Sequence, residues 1–112
     1  MKRRPKLFLA DIFGSIELIE RYTKGLTYEK FLKNNTIQDA VLRRLEIIGE
    51  ATKNIPLGIK EKNPNIPWKE MAGMRDILSH EYFGIIMKRI WDTTLKDLPE
   101  LKKQIKNLLE KF

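Results

Sequence analysis

The chain has no cysteine and a single histidine, His80, in 112 residues. Without thiols there is no disulfide frame and no thiolate metal site, and one imidazole is too few for a histidine-based metal centre. No metal and no cofactor is therefore expected. No apolar run approaches the ~18 residues of a membrane-spanning helix, so no membrane association is expected. The basic start, MKRRPK, is followed by Leu7–Phe13, which carries Asp11 and lacks a small-residue cleavage site. It reads as the beginning of a helix and not as a signal peptide, and the cytoplasm is the expected location. Sustained strand alternation, internal repeats and low-complexity stretches are all missing.

Acidic residues are the minority charge, 15 against 22 Lys and Arg, for a net charge of +7 and a pI of about 9.7. Such an excess draws a polyanion such as RNA, or simply keeps a lysine-rich protein in solution. At 42% apolar and 33% charged, the chain has the composition of one globular domain spanning residues 1–112.

The apolar pattern is helical. Leu9, Ile12, Phe13, Ile16 and Ile19 predict a first helix from about Pro5 to Lys24, ended by Gly25. Thr27 precedes a short capped helix, Tyr28-Glu29-Lys30-Phe31-Leu32, whose Lys30 leaves the capping box incomplete. Asn35 or Thr36 is expected to cap a long second helix through about Asn54, with Ile37, Val41, Leu45, Ile48 and Ala51 inward. Gly49 within it either costs helix stability for nothing or permits close helix approach. Pro56, Pro64 and Pro67 mark an irregular stretch with one helical turn around Leu57–Lys62. A third long helix is expected from Trp68 until Gly84 breaks it, a fourth over Ile85–Lys96, and a fifth from Pro99. An all-α, antiparallel up-and-down bundle of four to five main helices is the economical fold.

The stretch GMRDILSHEYFG holds the candidate chemistry. On a regular helix starting at Trp68, Met71, Met74 and Leu78 form one apolar stripe, and both tryptophans, Trp68 and Trp91, read as core or interface anchors. Arg75 then lies about 60° from the centre of that stripe and His80 about 160°. About 140° separates the two, so a regular helix cannot aim both at one atom. Either the helix distorts near Ser79–His80 or two copies of the chain assemble the site. An imidazole moves a proton near neutrality, and a guanidinium fork holds phosphate and steadies the charge of a pentavalent phosphorus. Together they suffice for RNA cleavage without a metal. Tyr82 offers a phosphate contact or a modifiable hydroxyl, while Asp76 and Ser79 lie close enough to orient the histidine or touch substrate. A surface or helix-end histidine is the plain alternative.

The segment PWKEMAGMRDILSHEYFG, preceded by RRLEIIGEATKNI and followed by IWDTTLKDLPELKKQI, resembles the HepT-like branch of the HEPN superfamily. Its R-x4-H-x-Y signature falls on Arg75, His80 and Tyr82. The resemblance implies a ribonuclease toxin of a type VII toxin–antitoxin pair, a helical bundle that dimerises and brings two motifs together at a cleft. It also implies a partner, an MntA-like nucleotidyltransferase antitoxin that AMPylates Tyr82 and can form a hetero-oligomer with the toxin. A shared dimer cleft would resolve the angular conflict between Arg75 and His80. Glu50, in the GEA segment, would border that cleft or serve as an exposed helix charge. After Phe83-Gly84 the family often carries an acidic residue, where this chain has Ile85-Ile86. The alternative functions are a nucleotide-binding regulator, or a scaffold and substrate of the nucleotidyltransferase without nuclease activity.

Overall fold

The computed structural model describes residues 4–79 and 83–112, and their side chains except at 77–79 and 83–86. Helix α1, Pro5–Thr23, opens with Pro5 where a missing N–H costs nothing. Leu9, Ile12, Ile16 and Ile19 turn one face fully inward. The chain then bends at Gly25, whose φ of 76° suits glycine.

A short α2, Tyr28–Leu32, follows, with the Thr27 hydroxyl accepting from the Lys30 N–H at 3.2 Å. Asn34, and not Asn35 or Thr36, caps α3, Asn35–Lys53. Its Oδ1 takes the Ile37 N–H at 3.0 Å, which satisfies one of the donors left over at a helix start. Val41, Leu45 and Ile48 of α3 meet the buried face of α1, and these two helices form the most extensive helix pair.

The single turn expected between the prolines is α4, Leu57–Lys62. Beyond it the expected long helix does not form. Helix α5, Trp68–Gly73, ends early, and Met74–Ser79 tighten into a 3-10 helix. Met71 is fully buried and Met74 half-buried against the core. The Leu78 side chain lies outside the described residues. Both tryptophans are core residues. The Trp68 indole N–H donates to the Asn63 carbonyl at 3.0 Å, and Trp91 packs its ring 5.1 Å from Phe31.

Gly84 is not a breaker. It lies inside α6, Phe83–Asp92. Nor are the last two helices separate. A π turn over Thr93–Asp97 carries α6 directly into α7, Leu98–Leu109. Pro99 explains the widening. A proline ring collides with the carbonyl four residues back, and the wider π register, in which Leu98 N–H reaches the Thr93 carbonyl, relieves that conflict without ending the helix. Leu98, Leu101, Ile105 and Leu108 close the bundle on the inner face of α7. A 2.8 Å ion pair between Lys102 and Glu20 ties α7 to α1, and the Lys102 ammonium lies 5.9 Å from the centre of the Phe13 ring. The described residues form an all-α bundle, and none of their helices is long and apolar enough to cross a membrane.

Candidate functional site

The site is seated on α3. Gly49 is buried there, and a Cβ built on it would come within 2.7 Å of the Arg75 backbone nitrogen and 2.9 Å of the Arg75 Cβ. Any larger residue would push the 3-10 helix off α3. The glycine therefore permits a close approach, which was one of the two readings its position allowed.

The next residue along α3 takes the side chain. Arg75 donates from Nη1 to Glu50 Oε2 at 2.8 Å, while its Nε reaches Asp76 Oδ1 at a longer 3.4 Å. The Glu50 hydrogen bond first, and that of Asp76 second, hold the guanidinium above its ordinary value, so it stays charged. The group remains accessible, with 42% of the Arg75 side chain and 62% of the Glu50 side chain exposed. The two contacts occupy two of the five N–H donors of a guanidinium, which leaves capacity for a phosphate.

Arg75 and Glu50 line an open cleft of ≈ 460 Å³ between α1, α3 and the 3-10 helix, with Phe8, Asp11, Arg43 and Glu46 also in its wall. Arg43 and Glu46 pair at 3.6 Å along α3. Of the residues singled out from sequence, the structure brings together Arg75, Asp76 and Glu50. Ser79 ends the 3-10 helix with its side chain outside the described residues, and His80 and Tyr82 lie outside them altogether. The angular conflict between Arg75 and His80 assumed an α-helix, and that premise ends at Gly73. Asp11 and Arg43 were not singled out. The signal that points to Arg43 is a row on α3, Arg43, Glu46 and Glu50, spaced to share one side of the helix beside Gly49. Asp11 reaches the cleft from α1, with no local signal in the sequence. Among the described residues no group of three His, Cys, Asp or Glu side chains could hold a metal ion.

The family model described as Ribonuclease HepT-like matches residues 12–108. A protein of Thermococcus cleftensis named "Probable ribonuclease HepT" is 50% identical over 108 residues, covering 96% of this chain and 98% of its own. "Putative RNase TTE0752" of Caldanaerobacter subterraneus subsp. tengcongensis is 47% identical over 109 residues, 97% of each chain. "Gamma-glutamylcyclotransferase and putative RNase MJ0434" of Methanocaldococcus jannaschii is 49% identical over all 112 residues, and this chain spans 50% of its length. No solved structure matches. With a family match that takes in both Gly49-Glu50 and the whole R-x4-H-x-Y segment, the chain belongs to the HepT-like ribonuclease family.

Proposed function

We propose that this protein is the toxin of a toxin–antitoxin pair and cleaves RNA without a metal ion. Arg75 binds the scissile phosphate and steadies the dianionic phosphorane, and His80 acts as general base or general acid at a reacting oxygen of the substrate. The ribose 2′-OH attacks its own phosphate, the bond to the 5′-oxygen breaks, and a 2′,3′-cyclic phosphate and a 5′-hydroxyl result. The observation that carries the reading is the accessible Arg75 guanidinium, seated on Gly49, turned toward Glu50 and lining an open cleft. A homodimer that joins two motifs, and an MntA-like nucleotidyltransferase that silences the toxin by transferring AMP to Tyr82, complete the proposal. Both are supported by family membership.

The test is RNA incubated with purified protein in excess chelator. Cleavage persists in wild type and is lost by at least about a hundredfold in Arg75→Ala and His80→Ala. Adding the nucleotidyltransferase and ATP stops cleavage and adds one AMP mass, and Tyr82→Phe prevents that addition. Intact RNA with the wild-type protein, alongside saturable nucleotide binding, would replace the enzyme with a binding regulator. AMP still appearing on Tyr82→Phe would remove the off-switch.

A further inference from the structure

The proposed reaction moves two protons, one off the attacking 2′-OH and one onto the departing 5′-oxygen. Each chain carries one histidine. A second proton carrier beside the phosphate-binding arginine is therefore chemically useful, and the cleft offers carboxylates. Glu46 is engaged by Arg43 at 3.6 Å. Asp76 is the sequence neighbour of Arg75 and lies 3.4 Å from its Nε. Asp11 stands across the cleft on α1 and has an interaction of its own.

Glu50 differs from all three in meeting the Arg75 guanidinium itself, at 2.8 Å, from a different element of the fold. It is bound to Arg75 through Oε2, and its Oε1 has no hydrogen-bond partner among the described residues. It follows Gly49, where the backbones of α3 and the 3-10 helix touch, so the separation of carboxylate and guanidinium is fixed by a main-chain contact as well as by the ion pair. A group set on a 19-residue helix and positioned twice is preorganised in the way a proton-transfer group needs.

Resting on the ribonuclease reading, we propose that Glu50 is the general base of this site. Its carboxylate takes the proton of the 2′-OH whose adjacent phosphate Arg75 holds. The O2′–H bond breaks and the proton passes to Glu50. The O2′–P bond forms, the P–O5′ bond breaks, and the departing 5′-oxygen receives its proton from the general acid, the role that then falls to the His80 imidazolium of the ribonuclease reading. Glu50 then gives its proton to water and the imidazole takes one back, so the protons balance. Charge balances around the guanidinium throughout. As Glu50 becomes neutral the phosphate becomes a dianionic phosphorane, so Arg75 exchanges one anion for the other without a change in the total.

The experiment compares wild type, Glu50→Gln and Glu50→Asp on an RNA with a mapped cut site, and on the same RNA with a bridging sulfur in place of the 5′-oxygen there. A thiolate leaves without an acid, so the sulfur substrate rescues loss of the acid and not loss of the base. Glu50→Gln lowers kcat by about 10²–10³-fold with KM within about threefold, and the deficit persists on the sulfur substrate. Glu50→Asp recovers at least about tenfold over Gln. An unchanged kcat with a lower KM would make Glu50 only a competitor for phosphate, and a deficit that vanishes on the sulfur substrate would make it the acid. Either result overturns the assignment. A wild-type protein that leaves RNA intact overturns the ribonuclease reading itself, a separate outcome. Should Glu50→Gln not fold, the kcat and KM of Glu50→Asp decide, since a base moved back by one methylene loses kcat first.

Discussion

Two glycines in long helices illustrate how position decides a residue's worth. Gly49 meets the Arg75 nitrogen at a distance no Cβ tolerates, whereas Gly14, in the middle of α1, has nothing within 4 Å of the place its Cβ would take. Alanine adds helix propensity worth about 1 kcal/mol at either site. At Gly14 that gain stands alone, so Gly14→Ala raises the melting temperature by several degrees. At Gly49 overpacking against main chain, about 1–3 kcal/mol, outweighs it. Gly49→Ala therefore melts earlier and, because Arg75 moves with its backbone, cuts RNA at least about tenfold more slowly. Thermal melts followed by circular dichroism read both signs, and a Gly49→Ala protein as stable as wild type would remove the seat from the argument. The ion pair resting on that seat is more than two-fifths exposed on both sides, so its part is to orient the guanidinium and not to hold the fold.

Among the elements, α2 is too short to persist alone, and its stability is supplied from α3. The Gln38 side chain is buried and donates from Nε2 to the carbonyls of Phe31 at 2.8 Å and Leu32 at 3.0 Å, tying down the end of α2. Phe31 in turn packs on Trp91 of α6, the helix that follows the R-x4-H-x-Y segment. Gln38→Leu removes both bonds at about 1 kcal/mol each and leaves α2 to fray. Amide exchange at Phe31 and Lys33 should accelerate at least about tenfold while Leu45 and Ile48 of α3 stay protected. Equal acceleration in both helices would mean that Gln38 supports the whole bundle and not α2. The existence of α1 and α3 is legible in their apolar spacing, that of α2 in its Thr27 cap, and that of α4 in the prolines on either side of it. The missed features have different causes. The shortening of α5 at Gly73 goes with the close seating of the 3-10 helix on Gly49, and periodicity registers no such neighbour. The π turn is Pro99's own effect, at a proline that read locally as the start of a new helix, just as Gly84 read as a stop. The Arg75–Glu50 pair spans 25 residues and was legible only as two separate candidates, since nothing local signals that Gly49 lets them meet.

For the whole molecule, the question is whether one copy or two make a working site. The chain carries one His80 and one Arg75, and Arg75 is committed to the α3 side of the cleft by Gly49 and Glu50. A net charge of +7 favours contact with a polyanion such as RNA and says nothing of how many copies would hold it. A twofold dimer has two equivalent sites, and if each takes Arg75 from one copy and His80 from the other, a mixed dimer of Arg75→Ala and His80→Ala chains rebuilds one of them. The two inactive variants, denatured together and refolded at equal concentration, should then recover about a quarter of the wild-type rate, because half the dimers are mixed and each has one intact site. A site completed within each copy gives no recovery at any ratio, and a monomer in sedimentation at assay concentration would exclude the shared arrangement outright. Recovery that Glu50→Gln abolishes only when placed on the chain that keeps Arg75 would assign base and arginine to the same copy, as their 2.8 Å contact requires.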